Sequence, residues 1–151
     1  DKGLAVIDEA KLKNTDVPFS ETYAAMQALR FMWRYGEGRI EKERLRQSMR
    51  ILLDRPELAD LVIADLARWQ DWSIQSRLMK MYGEGEYNIP SIKRAIVRYM
   101  LVCSKDVPED AAAGETSKLP EHVVTARKHV AALRKMDEKT VAEAERFFFL
   151  K

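Results

Sequence analysis

The chain has 151 residues, of which 46% are hydrophobic and 33% are charged, and its 26 Lys and Arg residues against 24 Asp and Glu residues leave a formal net charge of +2. This balance excludes a disordered chain, and the length suits one domain, here taken as residues 1–151. The single Cys excludes an internal disulfide and a multi-thiolate metal site, the two His leave little for a histidine metal centre, and no cofactor is expected.

Helical periodicity dominates the first half of the chain. A helix is predicted from Ser20, a favourable N-cap residue, to Tyr35, and Gly36 is predicted to take the left-handed conformation that ends a helix. Asp54 is predicted to cap a third helix, with Pro56 in its first turn. The second and third helices each show one apolar stripe, formed by Leu45, Met49, Leu52 and Leu53 and by Leu58, Leu61, Val62, Leu66 and Trp69. Before them, a short docked helix is suggested by Leu4, Ile7 and Leu12.

The second half continues the same pattern. After a break near Asp71, one helix runs to Tyr82 and ends at Gly83. Residues 105–120 lack an apolar period and are predicted to be a mobile linker, after which Pro120 precedes a helix and Asp137 caps the last one. The apolar positions of these helices are Ile74, Leu78 and Met81, then Ile92, Ile96, Tyr99, Met100 and Cys103, then Val123, Ala126, Val130 and Leu133, then Val141 and Ala144. No run alternates with the period of a strand, so no sheet is predicted.

Two recurring motifs suggest related structural units. Tyr-Gly-Glu-Gly occurs at residues 35–38 and again 47 residues later at 82–85, and apolar positions match on both sides of it. The marker Asp-x-Pro begins at residues 16, 54 and 106. Together these motifs divide the chain into three predicted helical hairpins, residues 16–53, 54–105 and 106–151.

A local pattern of proline, aliphatic, basic and small residues marks the second helix of these units. It is complete in Pro90-Ser91-Ile92-Lys93-Arg94-Ala95, and residues 43–48 match it except that Glu43 replaces the proline. The pattern resembles the second helix of HEAT repeats, in the HEAT/armadillo group of α-solenoids, whose period range includes 47 residues. The resemblance implies an interaction scaffold and carries no catalytic residue. The predicted fold is all-α, either an irregular helical-hairpin (HEAT-like) α-solenoid or an orthogonal bundle of about six or seven helices.

Two basic rows form the first candidate binding surface. One helix carries Lys42, Arg46 and Arg50, and the equivalent helix of the next unit carries Arg94 and Arg98. Stacked repeats would place the rows side by side, where they could neutralise phosphates or meet an acidic protein. However, residues 36–60 hold six basic and six acidic residues, and residues 61–110 hold seven of each. Because a nucleic-acid surface usually shows a basic excess, we expect a protein partner, and the remaining alternative is a solvated face laced with ion pairs.

Large aromatic residues form the second candidate. Trp69 continues an apolar stripe and is predicted to be core, whereas Trp72 fits its stripe less well and is a candidate partner contact. Trp72 as an inter-helix wedge with a bonded N–H is the alternative. Trp69, Asp71 and Trp72 are also the only set suggestive of a HEAT-like DNA glycosylase, a chemistry that some α-solenoid proteins perform.

The remaining motifs favour structural roles. Tyr-Gly-Glu-Gly lacks the third glycine and the preceding strand of a dinucleotide loop, so it is interpreted as a helix-ending turn. His122 and His129 are seven residues apart, unlike a helical metal pair, and Cys103 falls on an apolar face. Successive helical residues turn by about 100°, so part of the segment 147–149, which is Phe-Phe-Phe, must pack elsewhere or be exposed. No metal ligand and no catalytic residue are predicted.

These observations favour a non-enzymatic protein-interaction module, alone or within a larger protein. A nucleic-acid-binding HEAT-like protein, including a glycosylase-like enzyme, is the alternative. No apolar stretch approaches the roughly 18 residues of a membrane helix, so no membrane insertion is expected. We expect a soluble, cytoplasmic protein, although the chain begins at Asp1 and export of a processed precursor stays open.

Overall fold

The computed structural model describes residues 2–8, 18–107 and 119–148, and they form α-helices joined by turns. These ranges contain eight helices: α1 Lys2–Ile7, α2 Phe19–Tyr35, α3 Lys42–Ile51, α4 Pro56–Arg68, α5 Gln75–Met81, α6 Pro90–Ser104, α7 Glu121–Met136 and α8 Glu138–Phe148. No strand occurs in the described ranges, which confirms the predicted all-α class. The short α1 accounts for the helix beyond the seven expected.

The chain divides into two compact units, residues 1–69 and residues 70–151. Each unit is described by itself below. The division falls inside the second predicted repeat, residues 54–105, and the single domain with three repeat units stays a prediction.

In the first unit, α2 packs on α3 and α3 packs on α4, with a 3₁₀ turn at Leu52–Asp54 joining the last two. The predicted stripe of α3 is buried in full, as are most apolar positions of α4. Leu61 is an exception, because it is 37% exposed while Ala59 and Ile63 are buried in its place. Two buried polar residues link the helices here, since Arg55 Nη1 donates to Thr22 Oγ1 over 2.5 Å.

In the second unit, α6 packs against both α7 and α8, which also pack against each other. Its predicted apolar positions are all buried, and so are Val97, Leu101 and Ser104, because neighbours cover more than one side of this helix. The predicted core positions on the other helices are buried as well, apart from Val130 of α7, which is half-buried. Asp137 caps α8 as predicted, accepting hydrogen bonds from the backbone N–H and the hydroxyl of Thr140.

Two predicted helix starts are wrong. α2 begins at Phe19 after Pro18, so Ser20 lies inside the first turn and does not cap it. α4 begins at Pro56 with Arg55 in the N-cap position, which places Asp54 one residue too early to cap the helix. In both cases a proline with fixed φ sets the start of the helix.

The two Tyr-Gly-Glu-Gly segments have different backbone conformations. Gly36 has φ −74°, so its predicted left-handed role is wrong, and Glu37 and Gly38 take positive φ instead. In the second copy Gly83 has φ +76°, as predicted, and Glu84 is extended. A Cβ on Gly36 would lie 2.4 Å from the Met32 carbonyl oxygen, so close approach, and not a left-handed turn, requires glycine there.

Several predictions fall outside the described residues. Leu12, most of the linker (residues 108–118) and Phe149 are among these positions, and the side chains of Ile7, Phe147 and Phe148 are likewise not described. In the part of the chain that is described, no helix has the length and apolar character needed to cross a bilayer.

Candidate functional site

The basic row on α3 is held by neighbours within the first unit. Arg46 donates from Nε and Nη2 to the Trp69 carbonyl oxygen at 3.0 and 2.6 Å, which satisfies the C-cap of α4. Arg46 and Arg50 also share the carboxylate of Glu43, at 3.5 and 2.9 Å. The row therefore joins α3 to the end of α4, and much of its charge is already compensated.

An aromatic stack lies beside this row. Trp33 and Trp69 are parallel, with ring centroids 4.3 Å apart and an interplanar angle of 4°. The Lys42 ammonium and the Arg46 guanidinium lie 4.8 and 5.2 Å from the Trp33 ring centroid. Trp69 is 5% exposed, so the prediction that it is a core residue is confirmed. The stack is a structural cation–π arrangement that fixes the end of α2 against α3 and α4.

The second basic row lies on α6. Arg94 is half-buried and Arg98 is exposed. Neither side chain forms an ion pair within the described residues. This pair belongs to the second unit and the row on α3 belongs to the first, so the joint surface of two stacked rows stays a prediction.

Trp72 is half-buried and bonded in the second unit. Its indole N–H donates to Asp106 Oδ2 over 3.0 Å, and its ring meets Tyr99 edge-on at 5.2 Å between centroids. His122 donates to the same carboxylate oxygen from Nε2 over 2.8 Å. This arrangement has the geometry of the alternative considered for Trp72, an inter-helix wedge whose N–H is bonded, and the acceptor is a carboxylate. The partner-contact role of Trp72 stays a prediction.

Trp69, Asp71 and Trp72, the set suggestive of a glycosylase, each have a structural contact. Trp69 stacks on Trp33 in the first unit, and Trp72 is held by Asp106. Asp71 is 3% exposed, and its carboxylate accepts the backbone N–H and the hydroxyl of Ser73, which caps a 3₁₀ turn. The buried carboxylate therefore supports a turn in the backbone.

A shallow polar cleft of about 410 Å³ lies beside Trp72. It is lined by Trp72, Ser73, Gln75, Ser76, Glu121, His122 and Thr125. The buried Gln75 side chain is fully engaged, since its amide N–H donates to the His122 carbonyl and its oxygen accepts from His129 Nδ1 over 2.9 Å. Desolvation lowers the pKa of His129 below its ordinary value, which favours the neutral ring.

Cys103 and the histidines have structural environments. Burial, with a smaller contribution from Asp106, raises the pKa of the Cys103 thiol to about 12, so the reactive thiolate is not populated at neutral pH. His122 and His129 bond to different partners, Asp106 and Gln75. Among the described residues, no group of three or more His, Cys, Asp or Glu side chains is arranged to hold a metal ion.

The outer face of α2 is the feature that the sequence predictions missed. Phe19, Tyr23, Phe31 and Tyr35 are 48, 36, 64 and 58% exposed, while Thr22, Met26 and Leu29 of the same helix are buried. Phe31 and Tyr35 contact each other with centroids 5.0 Å apart. The available signal was the repeat of aromatic residues at intervals of four along one helix.

No protein-family model, curated protein or solved structure matches this chain.

Proposed function

We propose that this chain is a protein-interaction module that binds its partner through the outer face of α2. The observation that supports the proposal is the row of four exposed aromatic side chains on one helix, Phe19, Tyr23, Phe31 and Tyr35. Exposing large aromatic rings to water is unfavourable. The free chain therefore lacks the hydrophobic free energy that it would gain if a partner covered this row.

The exposed area is large enough to matter for binding. Full burial of an aromatic side chain removes about 150–250 Å² from water, so four rings near half exposure present roughly 400 Å². The largest apolar patch on a typical monomer is about 300–600 Å² and is often functional, and the face of α2 falls in this range. Aromatic side chains also lose little conformational entropy on binding, which is why they are enriched among the residues that dominate interface energy.

Neighbouring polar contacts order this face before a partner arrives. Gln27 Nε2 donates to the Tyr23 hydroxyl over 2.8 Å, and the Arg34 guanidinium lies 5.8 Å from the Tyr35 ring centroid. Arg30, at the edge of the face, is held by Asp65 over 2.6 Å. A preorganised surface pays less entropy on association, which favours binding.

The HEAT-like resemblance forms part of the same proposal. Within each unit consecutive helices pack on one another, α2 on α3 and α3 on α4 in the first, and α6, α7 and α8 mutually in the second. The basic row on α3 is a weaker candidate for partner contact, because Arg46 and Arg50 already share Glu43. An exposed helix face on a scaffold of paired helices supports binding in preference to catalysis.

Site-specific photo-crosslinking in the source cells tests the proposal. A photoreactive phenylalanine analogue at Phe31 should form discrete protein adducts, because this side chain is 64% exposed on the proposed surface. The same analogue at Met136 of α7, which is 61% exposed, serves as the matched control and should not form them.

Competition makes the result specific. Purified wild-type chain should suppress the adducts, and the F31E variant should not. The proposal is overturned if position 31 gives no adduct, or if positions 31 and 136 give the same set of adducts.

A further inference from the structure

The outer face of α2 is complementary to itself. We propose that its partner is a second copy of this chain, with the two α2 helices packed antiparallel about a two-fold axis that passes beside Gln27. The inference rests on the proposed function, since it takes the same surface as the binding site.

One line of residues marks the middle of the exposed face. Ser20, Gln27 and Arg34 are spaced seven apart, which returns a helix to nearly the same direction, and all three are exposed. Tyr23 and Phe31 lie four residues before and after Gln27, so they flank the line on opposite sides. The face is therefore symmetric in size about Gln27, with one large ring on each side.

An antiparallel two-fold pairing converts this symmetry into packing. It places Tyr23 of one copy at the height of Phe31 of the other, on opposite sides of the contact line, so the rings interdigitate without collision. Phe31 then lies over the small residues Ser20 and Ala24 of the second copy, both of which are exposed. Rings against small side chains are the ridge-into-groove contact that helices use to pack.

Gln27 occupies the two-fold position. A carboxamide has both a donor and an acceptor, so two copies meeting across a two-fold axis form a reciprocal pair of hydrogen bonds. Among the described residues of the single chain, Gln27 donates to the Tyr23 hydroxyl and accepts from Arg30 at 3.4 Å. A polar residue at the centre of an apolar helix contact fixes the register, as it does in coiled coils.

Charge selects the antiparallel direction. Glu21 lies in the first turn of α2 and Arg34 in the last. Parallel copies would place the two Arg34 guanidinium groups together in the contact, whereas antiparallel copies hold them at opposite ends of it. The helix dipoles add to the same preference, and Tyr23 meets Arg34 of the second copy, where the guanidinium can lie over the ring.

The area sets the expected strength. Tyr23 and Phe31 of the two copies supply roughly 400 Å², and the other side chains of the contact add to it, which places the interface at or below the lower limit of specific interfaces, about 1,200 Å². We therefore expect a reversible dimer whose population rises with protein concentration.

Analytical ultracentrifugation of the purified full chain tests the inference. Wild type should move from the monomer mass towards twice that mass as concentration rises through the micromolar range. F31E should remain monomeric, and M136E, which adds the same charge at a side chain of similar exposure, should dimerise like wild type.

A second variant keeps every aromatic residue. A24R places a large side chain where Phe31 of the second copy would lie, and Arg is a good helix former, so this variant should abolish the dimer. The control A131R, at an exposed alanine of α7, should dimerise like wild type. Q27C should form an intermolecular disulfide under mild oxidation, because position 27 meets its own copy, and the buried Cys103 of wild type should not. Circular dichroism confirms that each variant is folded.

Three outcomes would overturn the inference: wild type that stays monomeric, dimers that survive both F31E and A24R, or Q27C that does not cross-link. A monomeric chain that still forms position-31 adducts with another protein would leave the proposed function standing and remove only the second copy as its partner. If wild type stays monomeric and position 31 also gives no adducts, the outer face of α2 is not a binding surface.

Discussion

Individual polar residues in this protein act mainly as helix caps and links, and Asp137 is the most connected of them. Its carboxylate accepts from Thr140 at the start of α8 and from the Tyr82 hydroxyl over 2.8 Å, with Lys93 at 4.0 Å. Burial alone would raise the pKa of Asp137, but the bonds from Thr140 and Tyr82 and the charge of Lys93 lower it below 3.8. Burial and the bond to Asp137 together raise the pKa of Tyr82 above its ordinary value.

The D137N substitution should destabilise the protein by about 1–2 kcal/mol at neutral pH, because hydrogen bonds to a charged acceptor are lost. A lowered pKa means that the unfolded state takes up the proton first. The contribution of Asp137 is therefore complete above its ordinary pKa of 3.8 and is lost as pH falls through the lower folded-state value. The difference in unfolding free energy between wild type and D137N, from urea titrations, should shrink as pH falls from about 7 to about 3.

E86Q is the matched control for this pH series, because Glu86 is an exposed loop carboxylate. It should unfold like wild type at neutral pH. A difference between D137N and wild type that persists unchanged at low pH would show that the charge of Asp137 contributes nothing.

At the scale of single elements, α2 is amphipathic in an unusual sense. One face buries Thr22, Met26 and Leu29, and the other exposes large rings such as Phe31 and Tyr35. Periodicity in the sequence identifies a helix here but gives no reason to choose which apolar face is covered, since both carry hydrophobic side chains. The end of α2 is equally a matter of local packing, because Gly36 closes it by close approach to Met32.

G36A should destabilise the protein by about 1–3 kcal/mol, because the added Cβ would press on a backbone carbonyl that cannot move aside cheaply. G3A in α1 is the control, since a Cβ there meets nothing within 4 Å, and alanine in a helix interior is favoured over glycine. Thermal unfolding followed by circular dichroism measures both. Equal melting temperatures for G36A and wild type would contradict the close-approach argument.

At the scale of the whole molecule, charge is nearly balanced, with 26 basic and 24 acidic residues. In the first unit, basic side chains such as Arg46, Arg50 and Arg30 face carboxylates or carbonyls of the same unit. Nucleic-acid binding needs many protein cations that neutralise phosphates and release the counterions condensed on the nucleic acid. The paired basic side chains of the first unit do not supply such a set.

We therefore expect no nucleic-acid complex that persists at moderate salt. Fluorescence anisotropy of labelled single- and double-stranded DNA should show little binding at about 50 mM salt and none at about 200 mM. Strong binding that is abolished by R94E with R98E, the cations on α6 without a described ion pair, would favour the nucleic-acid alternative. Arg46 on α3 is left unchanged in this test because it also caps the end of α4.

The helices and most of the core positions can be predicted from the order of residues along the chain. The stripes of α3, α4 and α6 and the cap of α8 by Asp137 follow from spacing along the chain, because helix formation and capping are local. Leu61 and the start of α4 show the limit of this reasoning, since coverage by neighbours and a proline shifted both.

The roles of the candidate site residues depend on contacts between residues that lie far apart in the chain. Arg46 has a partner 23 positions away in Trp69, and Trp72 has one 34 positions away in Asp106, and neither pairing leaves a trace in local sequence. The exposure of Phe31 depends on which face of α2 the other helices of its unit cover. These properties arise from contacts between residues distant in the chain, whereas periodicity records only what each helix can do alone.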